Sequence, residues 1–455
     1  MEHTRFTVRN YTGYTAVVFG LGVVSVGFGA LDLIMVAPKG LDQAAAVGQA
    51  DVLISAIHAV FIGVVDVFSS RLAMAEGEQR TSHRLPVLGT ALLLLLIPCQ
   101  LLGIALGLGI EPLLRATGQK AELIPLVGDY VQVRTYGIAL VLGYIVISES
   151  LKICGLKNLS AVNLVFGLAV NALFNWVFLD TGAARLFLSP AQAVAASTLV
   201  AQAVMATTGG IVLVRRLRTR PDRFVRPGRH EVLTEFRSMA RTAPGIGLRH
   251  FNDYMGTTIP LLFIGTLGVV QLAAATVATK IYTLFCRVPQ ACFAGSFVFY
   301  GYALGGRGPD NLTRTVRKMR LYAAVPTAVA TALTTLAAPR LVNAFGIPGL
   351  DRDLARNLLL AYLLYVPAYF FEQIFGEMLT VHQRGGLLFV SSTAVTYLLT
   401  IPLAWYAVFA LDSTFLAVAC KGIPTAVLAF VFWRAVRRTG RPSANRAESE
   451  MSLAQ

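Results

Sequence analysis

The sequence predicts an all-α, polytopic membrane protein with twelve transmembrane helices in two pseudo-symmetric lobes of six. Composition is the first observation: of 455 residues, 55% are apolar and only 14% are charged, and the mean hydropathy is +0.64. Soluble domains carry about 25% charged residues, which excludes an ordinary soluble globule. The second observation is a series of uncharged runs, each long enough to cross about 30 Å of hydrocarbon. The third is an internal repeat with a constant offset of 228 residues.

Six uncharged runs are the clearest spans, and the first of them follows Arg5 and Arg9. This run is too long for the apolar core of a secretory signal and has no small-x-small cleavage site, so we expect a first membrane span. The six runs cover residues 10–31, 86–109, 158–179, 186–214, 321–339 and 385–411. Six further spans are interrupted by charge and cover residues 52–65, 135–148, the stretch around Asp253, 277–304, 357–371 and 415–433 around Lys421. No span shows the alternation of a β-barrel strand.

Lys and Arg are unevenly distributed between the connecting segments. With the amino terminus inside, the inner segments hold 27 of them and the outer loops hold seven. By the positive-inside rule, both termini are predicted to be cytoplasmic. The net charge of +15 therefore reflects the orientation of the chain in the membrane. It does not indicate nucleic-acid binding, which would require a basic face on a soluble domain. Arg greatly outnumbers Lys, which hints at a GC-rich bacterial genome, so we expect the bacterial cytoplasmic (inner) membrane.

A segment rich in arginine, between residues 215 and 241, separates two halves of similar size. The offset of 228 places Gly40 on Gly268 and Glu149 on Glu377. Because each half has six spans, the repeats share one topology about an axis along the membrane normal, as in transporters whose substrate site lies between the lobes. The predicted domains are an N-lobe at 1–214, a cytoplasmic linker at 215–242, a C-lobe at 243–436 and a cytoplasmic tail at 437–455.

Motifs for enzymatic and metal chemistry are scarce. The five cysteines lack ligand spacing, the plausibly intramembrane His58 and His250 are isolated, and no nucleophile with a base and no phosphate-binding glycine loop occurs. An intramembrane prenyl transferase would need clustered Asp-rich Mg²⁺ motifs, for which Asn252-Asp253 is too little, and a channel would need a recurring filter sequence. We therefore expect a protein that is not an enzyme and has no metal site or cofactor, driven by an ion gradient.

Three polar residues of the N-lobe lie at similar predicted depth. Asp32 is about 20 residues into the first span and Asn175 about 15 residues into the fifth, and Asn171 shares a helix face with Asn175. A charge in the bilayer is costly and usually functional. A carboxylate opposed by amide oxygens can bind a proton or Na⁺. Alternatively, the asparagines only join neighbouring helices and Asp32 caps a bend.

The sequence around these residues resembles the MATE (multidrug and toxic compound extrusion) family of the MOP flippase superfamily. Residues 29–48, GALDLIMVAPKGLDQAAAVG, resemble the family's first-span signature, and residues 171–178, NALFNWVF, resemble its N-x-x-L-N/D pattern. The resemblance implies a secondary antiporter that exports drugs or metabolites in exchange for H⁺ or Na⁺. It also implies that Asp32, Asn171 and Asn175 form the N-lobe ion-coupling site.

Two acidic residues of the C-lobe are a second candidate for ion coupling. Asp253 and Glu372 lie at matching predicted depths in the seventh and tenth spans. NorM-type members of the family carry acidic groups on these two helices, and the positions correspond if a one-residue shift is allowed. Alternatively, Asp253 pairs with Arg249 one turn away on the same helix.

Three cations in the seventh and eighth spans depart from the family pattern. Arg249, Lys280 and Arg287 would not favour the cationic drugs that most members export. One hypothesis is an anionic or carboxylate-bearing substrate; another is a gate, in which Asp51 and Lys280 form an ion pair near the pseudo-two-fold axis. The remaining alternative is local neutralisation of the acidic residues Asp51, Asp66 and Glu377.

Taken together, these features predict an ion-coupled exporter of small organic compounds, embedded in membrane lipid and functional as a monomer. The alternative on the same fold is a dedicated exporter of an anionic metabolite or a flippase of lipid-linked precursors. We expect no nucleic-acid partner.

Overall fold

The computed structural model describes residues 2–116, 119, 121–218, 227–306, 309–344 and 351–439. All regular structure in these ranges is helical. The α-helices, in chain order, are α1 (Val8–Val36), α2 (Leu41–Gly77), α3 (Thr81–Leu108), α4 (Ile110–Ala116), α5 (Leu123–Tyr136), α6 (Ile138–Ile153), α7 (Lys157–Asp180), α8 (Pro190–Arg218), α9 (Arg229–Leu267), α10 (Val269–Gly305), α11 (Pro309–Asn343), α12 (Arg352–Leu364), α13 (Val366–Val381), α14 (Gly385–Val395), α15 (Ile401–Phe409), α16 (Thr414–Ala419) and α17 (Gly422–Thr439).

The twelve predicted spans correspond to these helices. Eight stretches of the described chain are long and apolar enough to cross a membrane, and two bent helix pairs bring the number to ten. The more polar helices α9 and α10, of 39 and 37 residues, are the seventh and eighth spans and bring the number to twelve. The sequence-based fold class, twelve helices in two six-helix lobes, is confirmed.

The fourth span is longer than its uncharged part. Instead of covering only 135–148, it consists of α5 and α6, which meet at Gly137 with a bend of 55°. Arg134, which the sequence places just before the span, therefore lies inside it and is 7% exposed. The prediction was wrong here because a charge inside a span looks the same in sequence as a charge at its end.

The sixth span begins later than residue 186. Leu186 belongs to a short 3₁₀-helix, Gly182–Leu186, and α8 starts at Pro190. The hydroxyl of Ser189 accepts a hydrogen bond from the backbone N–H of Gln192 at 3.2 Å. Ser before Pro is a strong helix start because the hydroxyl satisfies a free N–H and Pro has none to satisfy.

The last two spans are not uniform α-helices. A π-helical turn, Thr396–Thr400, separates α14 from α15, next to Pro402, which has no N–H to donate. The final span, Thr414–Arg438, is continuous, but its α-helical hydrogen bonding is interrupted at Cys420 and Lys421, between α16 and α17. Gly422 and Pro424 follow this interruption, and both residue types loosen membrane helices.

The chain divides into two compact units. Unit 1 is Met1–Tyr254 with Gln290–Ala323, and unit 2 is Met255–Pro289 with Ala324–Gln455. In unit 1, α7 packs along α8 and α1, and α2 packs along α5 and α6; in unit 2, α13 packs on α17 and α16 on α12. The first half of α9 belongs to unit 1 because glycines on α2 and α9, Gly63 and Gly247, bring the two backbones into direct contact.

The predicted domain boundaries differ from these unit boundaries. The sequence separates the lobes at the linker, 215–242, whereas the units divide within α9, α10 and α11. The linker centre, 219–226, and nearly all of the tail, 440–455, lie outside the described residues. The boundaries 1–214, 215–242, 243–436 and 437–455 thus stay predictions.

The internal repeat is visible in the backbone. Gly40 and Gly268, which are 228 positions apart, precede α2 and α10 with φ angles of 146° and 141°. These angles disfavour any residue with a Cβ atom. Within unit 1, Gly77 lies against the carbonyl oxygen of Tyr302, while Gly305 lies against that of Met74. Gly77 and Gly305 are 228 positions apart, and so are Met74 and Tyr302. The two contacts are therefore equivalent under the repeat, as expected for pseudo-symmetric helices.

Candidate functional site

A buried carboxylate lies where α1, α7 and α8 meet in unit 1. Asp32 of α1 is 2% exposed. The Nδ2 atom of Asn175, on α7, donates to its Oδ1 atom at 2.8 Å. The hydroxyl of Thr198, on α8, donates to its Oδ2 atom at 2.8 Å. Both carboxylate oxygens therefore have a direct donor from a neighbouring helix.

Neighbouring side chains orient these donors. The hydroxyl of Ser197 donates to Oδ1 of Asn175, which directs the Nδ2 atom of Asn175 towards Asp32. The Nδ2 atom of Asn171 donates to the hydroxyl of Thr198 at 3.2 Å. Asn171 and Asn175 are four residues apart and both fully buried, so one face of α7 supplies both amides. The structure thus brings together the three predicted N-lobe residues and adds Ser197 and Thr198.

A buried arginine of the same unit acts electrostatically on this carboxylate. The Arg134 side chain, on α5, is buried and acts electrostatically on Asp32, His58 and Tyr130. Its Nε and Nη1 atoms, like Nε2 of His58, have no hydrogen-bond partner among the described residues. Sequence reasoning missed Arg134 because it lies next to the assumed start of a span. The available signal was its spacing of four from Tyr130, which places both on one helix face.

Asp51, on α2, lies beside α1 at a point one helical turn before Asp32. A Cβ atom added to Gly29 would be 3.5 Å from Oδ2 of Asp51, and Gly29 precedes Asp32 by three residues on α1. Asp51 itself is exposed. Its predicted partner, Lys280, belongs to unit 2 and is also exposed, so the ion pair between them stays a prediction.

The predicted C-lobe acids are divided between the two units. Asp253, in unit 1, is 33% exposed, and its Oδ2 atom lies 3.9 Å from Nε of the fully buried Arg249. This is the contact expected from the local alternative. Glu372, on α13 in unit 2, is buried and lies 3.5 Å from the side-chain nitrogen of Gln373. A joint coupling role for Asp253 and Glu372 stays a prediction.

Other polar residues within the spans have contacts that sequence reasoning did not foresee. His250, on α9, lies 2.7 Å from Asp66, on α2. The predicted candidate Arg287 is half-buried on α10. Lys421, at the interruption in the last span, donates to Thr257 at 2.6 Å. Within the described residues, no group of three His, Cys, Asp or Glu side chains lies close enough to hold a metal ion.

The arrangement around Asp32 suits reversible proton binding. The carboxylate is shielded from solvent, its hydrogen-bond donors come from two further helices, and a buried guanidinium acts on it electrostatically. A change in its charge alters the interactions that join α1 to α7 and α8. Such a group can link ion binding to movement of helices.

Comparison with known proteins identifies the fold and the family. The family model described as MatE matches residues 21–177 and 246–406. The structure of a mutant MATE protein superposes with a TM-score of 0.79 at 19% identity, covering 96% of this chain and 97% of that chain. A MOP superfamily transporter from Pyrococcus furiosus gives 0.73 at 19% identity, with coverage of 96% and 97%. An outward-facing MATE family multidrug resistance transporter gives 0.74 at 18% identity, with coverage of 96% and 97%.

The comparison with curated proteins finds no match. The solved structures share less than a quarter of their residues with this chain, so they establish the fold alone. The family model establishes more, because its two matched segments span most of the chain and include Asp32, Asn171 and Asn175. The resemblance predicted from residues 29–48 and 171–178 is confirmed. The protein is a multi-pass membrane transporter and belongs to the MatE family.

Proposed function

We propose that the protein is a proton-coupled antiporter that exports small organic compounds across the bacterial cytoplasmic membrane, with both termini inside. The observation that carries the proposal is the buried Asp32 carboxylate, held by Asn175 and Thr198 and acted on by Arg134. It works as a monomer without a cofactor, and the coupling ion is H⁺.

The surroundings of Asp32 favour H⁺ over Na⁺. A hard cation such as Na⁺ needs several oxygen atoms with their lone pairs directed at it. Here the nearest groups from α7 and α8 present N–H and O–H donors to the carboxylate. The Arg134 charge also repels a second cation in a site of low dielectric. A proton avoids both problems because it binds covalently to one carboxylate oxygen.

Proton binding provides a physical link to conformational change. Protonation removes the negative charge of Asp32 and leaves the charge of Arg134 buried without that counter-charge, which is costly. The neutral carboxyl group also offers one acceptor fewer to Asn175 and Thr198. Helices α1, α7 and α8 are then expected to rearrange. If substrate and proton favour opposite conformations, each promotes release of the other.

Transport in proteoliposomes tests this proposal. The purified full-length chain is reconstituted, and ethidium uptake is followed by fluorescence with an acidic lumen, then with a Na⁺-loaded lumen at equal pH. We expect uptake driven by the proton gradient and none above protein-free liposomes with Na⁺. Uptake driven by Na⁺ alone would overturn proton coupling.

Replacing Arg134 by Gln is expected to make transport responsive to Na⁺. The change removes the buried positive charge and supplies an amide oxygen, so Na⁺ affinity at Asp32 should rise on the order of tenfold, equivalent to about 1.4 kcal/mol. The measurement is ethidium uptake under an outward Na⁺ gradient.

Two variants control for loss of folding and loss of charge elsewhere. Arg134→Lys keeps the charge and should stay insensitive to Na⁺. Arg115→Gln removes an exposed arginine on α4 and should behave like the wild type. If Arg134→Gln transports with the proton gradient but shows no Na⁺ response, the argument from Arg134 fails.

A second candidate function is export of an anionic metabolite. Unit 2 carries two cations on α10, Lys280 and Arg287, of which Lys280 is exposed. The Pyrococcus furiosus transporter is described as having a binding pocket of reverse polarity that suggests a different function. This candidate predicts that small organic anions, rather than ethidium, are moved by the proton gradient.

A further inference from the structure

A histidine and an aspartate of unit 1 form a pair outside the site around Asp32. The Nε2 atom of His250, on α9, lies 2.7 Å from Oδ2 of Asp66, on α2. Both residues belong to membrane spans, where ionisable side chains are costly and usually mark a functional position. The pair therefore requires an explanation beyond packing.

The pair lies next to the close approach of α2 and α9. Gly63 and Gly247 bring the two backbones into contact, and Asp66 and His250 each follow one of these glycines by three residues. Because residues three apart share a helix face, the pair belongs to the faces that meet. A change in the attraction between Asp66 and His250 thus acts where α9 is held on α2.

Other side-chain contacts also hold the first half of α9 on α2. Arg71 of α2 donates to Glu235 and, at 2.7 Å, to the hydroxyl of Ser238. The hydroxyl of Tyr254 donates to a backbone carbonyl oxygen of α2 at 3.1 Å. In water, arginine, glutamate and hydroxyl groups keep their charge state near neutral pH, whereas histidine changes its charge between about pH 5 and 8. Within this set of contacts, His250 is the group that a proton can switch.

Charged groups from both helices act on His250. The Asp66 carboxylate acts on it from α2, and Arg249 and Asp253 act on it from its own helix. The two carboxylates favour a positive charge on His250, and the guanidinium opposes it. Asp66 lies within hydrogen-bonding distance and on the other helix, so its charge decides how strongly a protonated His250 is held on α2.

The pair is open to proton exchange. The side chains of His250 and Asp66 are 29% and 26% exposed. Charged groups in membrane spans face a bundle interior or a water-filled cavity rather than lipid. We therefore expect the exposed part of the pair to meet water, from which His250 can take up a proton.

Helix α9 is shared by the two compact units. Its residues up to Tyr254 belong to unit 1, and those from Met255 onwards belong to unit 2. His250 lies one turn before this division, in the half that contacts α2. An attraction that depends on a proton at this place acts on an element common to both units, and such an element can link proton binding to a conformational change.

We propose that the Asp66–His250 pair is a second proton-binding site, at which protonation of His250 fixes the first half of α9 on α2 and loss of the proton loosens it. The ligand is a single proton, which converts the imidazole into an imidazolium partner of the Asp66 carboxylate. The proposal goes beyond the coupling proposed at Asp32 and does not depend on it.

Thermal unfolding of the purified full-length protein in detergent, without an ion gradient, tests this site. His250→Gln is always neutral, whereas His250→Lys stays charged at both about pH 6 and about pH 9. We expect the wild type to unfold about 2 °C above His250→Gln at about pH 6 and less than about 1 °C above it at about pH 9, because the imidazolium is lost as pH rises. His250→Lys should unfold above His250→Gln at both pH values.

Three further variants identify the charge of the pair as the cause. Asp66→Asn should lower the unfolding temperature at the acidic pH as His250→Gln does, and combining the two changes should add little, because either one removes the ion pair. His230→Gln removes an exposed histidine at the start of α9 and should unfold like the wild type. In the Asp32→Asn background, His250→Gln should keep its pH-dependent effect even if transport is abolished, so failure of this proposal is distinguishable from failure of the proposed proton coupling.

The proposal is overturned if His250→Gln lowers the unfolding temperature equally at both pH values, which would indicate a packing role. It is likewise overturned if His250→Gln unfolds like the wild type at the acidic pH, or if the effects of Asp66→Asn and His250→Gln simply add.

Discussion

Asp32→Asn is expected to reduce proton-driven ethidium uptake to the level of protein-free liposomes. Asn cannot exchange a proton, yet its size matches Asp and it can still bond to Asn175 and Thr198, whose donors now contact Oδ1 and Oδ2 of Asp32. The protein should therefore fold, insert and elute like the wild type. The loss would be specific to coupling, because the buried carboxylate is the group whose charge changes in the proposed cycle.

The matched control for this variant is Asp42→Asn. Asp42 is an exposed acid in the first turn of α2, and its Oδ2 atom contacts the neighbouring Gln43 at 3.1 Å. It should transport at the wild-type rate. Retention of more than half the transport rate by Asp32→Asn would remove this residue from the mechanism and direct attention to the predicted C-lobe acids, Asp253 and Glu372.

Gly247→Ala is expected to cause the largest loss of stability among conservative substitutions in unit 1. A Cβ atom on Gly247 would lie 1.9 Å from the carbonyl oxygen of Val60, and one on Gly63 would lie 2.2 Å from that of Ala243. Both clashes are with backbone, so α2 and α9 must separate. We expect a cost of about 1–3 kcal/mol and a fall of about 2–5 °C in the unfolding temperature measured in detergent.

Gly48→Ala is the control for this effect, because Gly48 lies on α2 and an added Cβ atom would meet nothing within 4 Å. Ala is a better helix former than Gly by about 1 kcal/mol, so this variant should be as stable as the wild type or slightly more stable. Similar unfolding temperatures for Gly48→Ala and Gly247→Ala would show that the close approach of α2 and α9 contributes little.

Several features of the fold were predictable from local sequence. Uncharged runs located α1, α3, α7 and α11, because a helix that crosses hydrocarbon must be apolar over its whole length. The repeat was predictable because Gly40 and Gly268 satisfy the same backbone requirement. The form of the irregularities was not predictable. Gly422 and Pro424 indicate where the last span is loosened, and Pro402 lacks an N–H, but whether a helix bends, forms a π turn or loses one hydrogen bond depends on what its neighbours can bond.

The candidate site likewise contains residues that the sequence predicted and residues that it did not. Asp32, Asn171 and Asn175 stood out because polar groups are rare in apolar spans and because a family pattern surrounds them. Ser197 and Thr198 did not, since hydroxyl residues are common in membrane helices and usually bond to their own backbone, as both also do here to Val194.

The sequence by itself determined the class of protein, the approximate positions of its spans and the residues of one polar cluster. These follow from the cost of placing charge and unpaired polar groups in lipid, which is a property of composition along the chain. Only the tertiary structure decided that Arg134 acts on Asp32, that His250 lies against Asp66, and that Lys421 donates to Thr257. Such contacts join residues far apart in sequence, and the packing of whole helices decides which of many possible pairs meet.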